Sequence, residues 1–459
     1  MTAFASLLAG GESGQAAVVP HNPTESYLLE LITPTDGQAE MPAGRTPLSE
    51  PQIALIRQWI AEGAQDDSRS NTQPIDEAHP PLYSAPPVVP ALDCSPDGRL
   101  IAVAGFHEVL LHRADGSGVA ARLIGISERI QSVSFSPDGK RLAVAGGLPA
   151  RSGELQVWNV DYPFTPGTDD RPELLQSVSV AADTLYGSSW SSDGRLISVG
   201  CPDNTVRVFE AETGKQVLFQ GAHSDWVLDT VFSVDNSHLI SVGRDMAAKL
   251  TEVVTERFVD NITSITPGAL KGGILSVARH PVRDEIVIGG ADGVPKVYRV
   301  FRQTERRIGD DANLIRQLPP LAGRVFSVAV SADGSRIAAG SSLDGRGLVA
   351  IDAYEFDTAL PEDIQQINAK VATDRTPEEH RRLAEYHQSG LRRLTLLELP
   401  AAVYAVDFLD NSKSLVAAGS DGIIRVLDAE QGTILREFAA APIAPASSAD
   451  SVAQSATVI

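Results

Sequence analysis

His223, Ser241 and Asp245 are the residue types of acyl transfer: an imidazole able to take a hydroxyl proton, and a carboxylate able to orient it. A serine nucleophile on an α/β scaffold stands on a G-x-S-x-G elbow, and the sequence has none, so catalysis is not expected from the trio. Cys94 and Cys201 lie far apart and outside any C-x-x-C spacing. Neither a thiolate zinc site nor a disulfide framework is expected, and both read as small buried residues. Arg306 and Arg307 precede Asp310 and Asp311, a mixed charge cluster that reads as a solvated loop rather than an anion site.

The elements that carry these residues follow from one recurring module, clearest between Gln131 and Asn159: QSVSFSPDGKRLAVAGG, a short loop, then ELQVWNV. Alternating apolar residues broken by Ser-Pro-Asp-Gly predict short antiparallel strands joined by hairpins. Taking the Asp of the first turn as a marker, the module recurs at Asp97, Asp138, Asp193, Asp235, Asp284, Asp333 and Asp410, at intervals of 41 to 77 residues. A four-stranded unit exposes two apolar faces and cannot bury them alone, whereas units packed face to face in a ring cover one another. The expected fold class is therefore all-β, a seven-bladed β-propeller over residues 86–440, with a small α-helical N-terminal segment. Either Pro81 to Ser84 or the strand Ile434 to Phe438 could seal the ring.

A content of 43% hydrophobic and 5% aromatic residues with 38 glycines suits a large core built on many turns. The formal net charge of −21 makes nucleic acid an unpromising partner, since phosphate binding rests on clustered Lys and Arg. No apolar run approaches the roughly 18 residues of a membrane span. The first residues show no basic stretch and too short an apolar one for a signal peptide, so the chain as written carries no export address.

Residues 1–65 have a helical rhythm. Asn22, Pro23 and Glu25 predict a capped helix running through Tyr27, Leu28, Leu31 and Ile32. Ser49 with Gln52 predicts a second, with Ile53, Ile56, Trp59 and Ile60 on one face. Residues 66–85, rich in Ser, Asp, Asn and Pro, read as a solvated linker. Between the third and fourth strands of the sixth unit, 354–391 departs from the pattern: Thr376, Pro377 and Glu379 predict a helix start, and Leu360 to Val371 a shorter helix. Such an excursion either docks a partner or covers a strand edge. Thr, Ser and Gly between Phe258 and Gly273 could line one mouth of the channel. Residues 441–459 read as a disordered tail.

LLAGGESGQAAVVPHNPTESYLLELIT, EMPAG and PLSEPQIALIRQWIAEGA resemble the C-terminal half of the Planctomycete-type cytochrome c domain. The resemblance implies that Met41, before Pro42, corresponds to an axial haem ligand. The family's C-x-x-C-H attachment motif would lie upstream of the matching region and does not occur in this sequence. The expectation is a haem-less remnant and no cofactor in this chain, with haem c reserved for a longer gene product.

The repeats resemble WD40 repeats. That family's buried tetrad of His, Ser or Thr, Asp and Trp is nearly assembled in the fourth unit by His223, Ser241 and Asp245, with Thr251 where Trp would stand. The resemblance makes the trio a structural hydrogen-bond network. GFHEVLLH, DTLYGSSW, GAHSDWVLDTVF and RRIGDDANLIR resemble a group of proteins from Planctomycetes and their relatives in which a cytochrome-c-like domain precedes a WD40 propeller. The expectation is a non-enzymatic scaffold for a protein partner, with electron transfer as the alternative. The chain as written would be cytoplasmic, and periplasmic or exported if the group's pattern holds.

Overall fold

The computed structural model describes residues 8, 15–35, 37–43, 46–65, 75–164, 171–264, 272–305, 307, 309–409 and 412–444. The chain divides into two compact units, Met1–Pro74 and Ile75–Ile459.

The first unit carries helices α1 (Tyr27–Ile32) and α2 (Glu50–Ala61). The single helix expected from Asn22 is split at Ser26, whose hydroxyl donates to the Asn22 carbonyl at 2.9 Å and accepts the Val19 amide at 2.9 Å. Local side-chain bonds of this kind compete with helix propagation, leaving Pro23–Glu25 as a separate 3-10 turn. The α2 start is as expected: the Gln52 side chain accepts the Ser49 amide at 2.9 Å. Val18, Leu29, Ile32, Ile53, Ile60 and Ala64 make the core.

The second unit is all-β apart from one helical insertion. Its first sheet holds, in chain order, β1 (Leu92–Cys94), β2 (Leu100–Ala104), β3 (Phe106–Arg113), β4 (Val119–Phe135), β5 (Arg141–Leu148), β6 (Ser152–Asn159) and β7 (Glu173–Ala181). The second holds β8 (Ser188–Trp190), β9 (Leu196–Gly200), β10 (Val206–Glu210) and β11 (Gln216–Gln220). The third holds β12 (Val227–Phe232), β13 (His238–Gly243), β14 (Ala248–Glu252) and β15 (Phe258–Asn261). The fourth holds β16 (Ile274–Arg279), β17 (Glu285–Gly290), β18 (Lys296–Arg299) and β19 (Leu314–Gln317). The fifth holds β20 (Arg324–Val330), β21 (Arg336–Leu343), β22 (Arg346–Ala353) and β23 (Arg393–Leu399), and the sixth β24 (Val403–Leu409), β25 (Ser414–Gly419), β26 (Ile423–Asp428) and β27 (Ile434–Ala439).

Among the described residues the hydrogen-bonded sheets thus number six, where the sequence predicts seven four-stranded units. The difference lies in β4: its first half pairs with β3, down to His112 opposite Val119, and its second half with β5, up to Phe135 opposite Leu142. One unbroken strand serves two neighbouring units and merges their sheets.

The first hairpin turn repeats one hydrogen-bond pattern. Ser95, Ser136, Ser191, Ser233 and Ser331 each donate to the Asp two residues on, at 2.5 to 2.7 Å. Each serine oxygen also accepts the amide five residues on. The residue after the Asp takes a left-handed φ near 70°, which is why Gly98, Gly139, Gly194 and Gly334 follow it. At Asp284 the pattern is replaced: the His280 ring accepts the amides of Val282 and Arg283. Asp410 lies outside the described residues.

Apolar clusters join consecutive units. Val144 and Leu142 meet Leu100 and Leu111; Ile197 and Phe209 meet Leu155 and Val157; and so on along the chain. Val89, Leu92 and Val103 meet Val416 and Val426, the first unit against the last. Side chains and amides of the first strands repeat this linkage. Asp93 accepts the Phe135 amide at 2.6 Å, Ser132 the Ser188 amide at 2.9 Å, and Asp229 the Val277 amide at 2.9 Å. Ser276 then accepts Val328 and Ser327 accepts Val406, both at 3.2 Å, and Asp407 accepts Cys94 at 2.9 Å.

The insertion forms α3 (Glu362–Asn368) and α4 (Pro377–Gln388). Thr376 caps α4 by accepting the Glu379 amide at 3.2 Å, and Glu379 returns the bond at 2.8 Å. Ile364, Ile367, Leu383 and Tyr386 pack onto Ile315 and Val287.

The ends of this unit differ from expectation. Tyr83, read as part of a solvated linker, is buried; its hydroxyl donates to Glu108 at 2.8 Å, and it forms a parallel bridge with Ile443. The Ala444 amide bonds the Tyr83 carbonyl at 2.9 Å, so order extends past Ala440 into the expected tail, of which 445–459 lie outside the described residues. β27 stays in its own sheet. The expected channel-lining stretch after Phe258 instead begins as β15, the outermost strand of its sheet, and 265–271 lie outside the described residues.

Candidate functional site

The three candidate residues of the fourth unit meet. His223 precedes β12, Ser241 lies on β13 and Asp245 in the turn before β14. His223 Nε2 lies 2.8 Å from Ser241 Oγ, and Nδ1 lies 2.9 and 3.0 Å from the two Asp245 oxygens. The connectivity is that of a hydrolytic triad, but its setting is not: the His223 side chain is 0% exposed and Ser241 1%. No substrate carbonyl can approach Oγ. Burial pushes the Asp245 carboxyl up, but its bonds to His223 and the Ser224 amide and the charge of Lys249 outweigh that and hold it at about 2. Thr251, where a tryptophan would complete the set, is buried with its hydroxyl unpartnered among the described residues.

Sequence reading missed an ion pair that this unit shares with three others. An Asp in the turn pairs with a cation four residues on in the third strand of its unit: Arg207 with Asp203, Lys249 with Asp245, Lys296 with Asp292 and Arg425 with Asp421. The signal was present as D-x-x-x-[KR] before each of those strands. In the unit containing Trp158, whose ring nitrogen donates to Gln156 at 2.8 Å, buried Glu154 collects Ser127, Gln156 and Ser177 instead.

Residues in or next to the first strand of each unit line a cavity of about 460 Å³. Half-buried Tyr186, Leu228, Leu275, Phe326 and Tyr404 are among the residues that line it. Phe326 and Tyr404 meet edge to face at 5.1 Å, and Tyr186 stacks on Trp226 at 5.6 Å. Arg244 lies 4.7 Å over the Trp226 ring. Ser132, Ser276, Ser327 and Asp229 add polar groups to a lining that is otherwise largely apolar. Burial pushes the Asp229 carboxyl up to about 6, although it accepts the amides of Val277 and Thr230.

Met41 lies at the surface of the small unit, 46% exposed, its amide bonded to the Leu31 carbonyl at 3.0 Å. With no C-x-x-C-H in the sequence, the residues present do not fit a haem c. Cys94 and Cys201 are free and buried. Among the described residues no group of three or more His, Cys, Asp or Glu is placed to hold a metal. No described helix is long and apolar enough to cross a membrane. The charge cluster at 307–311 is not the solvated loop expected: Asp310 is buried and held by both Arg302 terminal nitrogens at 2.8 Å, while Arg306 lies outside the described residues.

Comparison with known proteins matches residues 1–43 to the family Planctomycete cytochrome C. Residues 121–159, 174–210 and 394–428 match WD domain, G-beta repeat. The chain carries the combination anticipated from its sequence. It is 28% identical over 215 residues to eukaryotic translation initiation factor 3 subunit I of Coccidioides immitis, covering 45% of this chain and 61% of that protein. The Candida glabrata protein of the same name is 24% identical over 246 residues, 49% of this chain and 66% of the relative. A WD repeat-containing protein 91 homolog of Dictyostelium discoideum is 29% identical over 118 residues, 26% and 14% of the two chains. The chain thus spans less than two thirds of the length of these relatives. The first WD match starts inside β4, so the sequence repeat is offset from the sheet by one strand.

Proposed function

We propose that residues 75–444 are a closed seven-bladed WD40-type propeller that binds a protein partner at the mouth of its central channel and performs no catalysis. Counting β4 once as the outer strand of the first blade and once as the inner strand of the second gives seven blades of four strands. The links from Asp407 to Cys94 and from Val89 to Gly419 support closure between the last blade and the first.

The observation that carries the binding role is the set of half-buried aromatics lining this cavity. Tyr186, Phe326 and Tyr404 line the cavity and Trp226 stacks on Tyr186, so rigid aromatic area stands beside Ser132, Ser276, Ser327 and Asp229, the composition of an interface hot spot. The relatives support a scaffold role, one being named as a subunit of a larger factor. The buried His223, Ser241 and Asp245 are read as a structural network that fixes the turn before β14.

The test is affinity capture from native extract with wild type, Phe326→Glu plus Tyr404→Glu, and Phe219→Glu on the exposed outer edge. Loss of the same partner with the mouth variant and its retention with the edge variant is expected; equal capture by all three rejects the mouth as the site. A second reading, electron transfer, is favoured by the match of residues 1–43. It requires a haem motif supplied outside this sequence, and covalent haem in the visible spectrum of protein from its native source would establish it.

A further inference from the structure

The joint between the insertion and the sheet beneath holds a cavity of about 240 Å³, away from the channel strands. Leu314 of β19 lies on one side, and His380, Leu383 and His387, spaced to share one face of α4, on the other. Asp311 and Arg375 complete the polar lining.

The electrostatics of this cavity are unresolved by the protein itself. The Asp311 carboxyl is enclosed; burial pushes it up to about 6 against the pull of Arg375 and Lys296. Among the described residues no ion pair joins it to a cation, and its Oδ1 is buried without a hydrogen-bond partner. Lys296 is taken by Asp292. Arg375 spends Nε on the Ile367 carbonyl and Nη2 on the Lys370 carbonyl, both at 3.1 Å, and no carboxylate among the described residues pairs with it. His387 Nδ1 accepts the Gln317 amide at 3.3 Å, which leaves the proton on Nε2. Burial, then Arg316 and Arg375, holds this imidazole at about 4, so it is a neutral donor at pH 7.

The Arg375 guanidinium is met only by backbone carbonyls, and one oxygen of the Asp311 carboxylate has no partner, so neither buried charge is offset by an ion pair. A simple anion would meet Arg375 but be repelled by Asp311, and a simple cation the reverse. A molecule carrying both charges a few bonds apart offsets both. The cavity has room for roughly eight waters by their share of liquid volume, which suits a ligand of similarly few heavy atoms. Leu314 and Leu383 contribute apolar surface to the lining.

We propose that this cavity binds a small zwitterion of the free aliphatic α-amino acid class, with its ammonium on Asp311, its carboxylate on Arg375 and His387 Nε2, and its side chain against Leu314 and Leu383. The site lies in the insertion joint and is independent of the partner surface at the channel mouth.

The test is thermal unfolding of the full chain with L-leucine, with isovalerate as the carboxylate alone and with isoamylamine as the ammonium alone. Saturating leucine is expected to raise Tm by roughly 2–4 °C, and neither single-charge analogue to do so. Asp311→Asn, which removes an unpaired buried charge, should match or exceed the ligand-free wild type in Tm and lose the leucine shift. His387→Gln keeps a donor and should retain part of it. No shift with glycine, alanine or leucine overturns the proposal, as does an isovalerate shift equal to that of leucine, or a full leucine shift in Asp311→Asn.

Discussion

At the scale of single residues, one geometry serves two chemistries, and access decides between them. Ser241, His223 and Asp245 are bonded in the order a hydrolase needs, yet they are sealed beneath the blade surface, where the same bonds hold a turn. Lys249 adds an ion pair to Asp245 at 3.2 Å. Because the folded carboxyl titrates at about 2, below its ordinary 3.8, its contribution is present above the unfolded value and is lost as pH falls through about 2. Wild type should therefore lose Tm between about pH 4 and about 2 by a component missing from Asp245→Asn, whose Tm is lower at pH 7. Equal acid slopes for the two proteins, measured by circular dichroism, would show that Asp245 carries no such linkage.

At the scale of elements, the turns do what the strands cannot. The Ser-x-Asp-Gly hairpins were legible in the sequence because their hydrogen bonds are local, within five residues, and need a left-handed residue at a fixed place. The helices of the insertion were legible for the same reason, Thr376 and Glu379 closing a capping box on themselves. The split at Ser26 was not, since its hydroxyl reaches both Asn22 and Val19 and sets a break that the apolar spacing does not show. Gly422 tests the turn rule at the junction of first and last blades. It has φ of 66°, and a Cβ there would lie 2.3 Å from the Pro87 carbonyl oxygen. Gly422→Ala is expected to cost about 1–3 kcal/mol in denaturant unfolding, with no change in far-UV signal. A cost near zero would mean that the 86–89 segment moves freely away from this turn.

At the scale of the whole molecule, stability depends on a junction between residues more than 300 apart in sequence. Asp93 and Asp407 lie side by side there, each accepting an amide of its neighbour strand, at 2.6 and 2.9 Å. Burial pushes the Asp93 carboxyl well up, and the charge of Asp407 adds to it; burial raises Asp407 too. Two adjacent buried carboxyls favour sharing a proton, since ionising both would place like charges side by side. With folded values above the unfolded ones, their contribution is complete at low pH and is lost as pH rises through the folded values, the opposite sign to Asp245. Asp93→Asn replaces the shared proton with an amide donor. Its Tm should hold as pH rises above the ordinary carboxylate range while that of wild type declines, and the decline should be a single transition if, as proposed, this junction closes the ring. Parallel curves would remove the shared proton from the account.

The sequence by itself determined the repeat, the turn chemistry, the sheet-forming strands and the helical insertion, since each is written in residues a few positions apart. It also marked His223, Ser241 and Asp245 as a set, through their likeness to WD40 repeats. What the tertiary structure decided is everything that depends on burial and on distant partners: that the trio is inaccessible, that β4 merges two sheets, that Tyr83 and Ile443 meet, and that Asp311 and Arg375 face one cavity. Local order is a matter of backbone geometry that neighbouring residues specify. Solvent access and electrostatic pairing are set by the chain segments that fold over a residue, and those lie tens to hundreds of positions away.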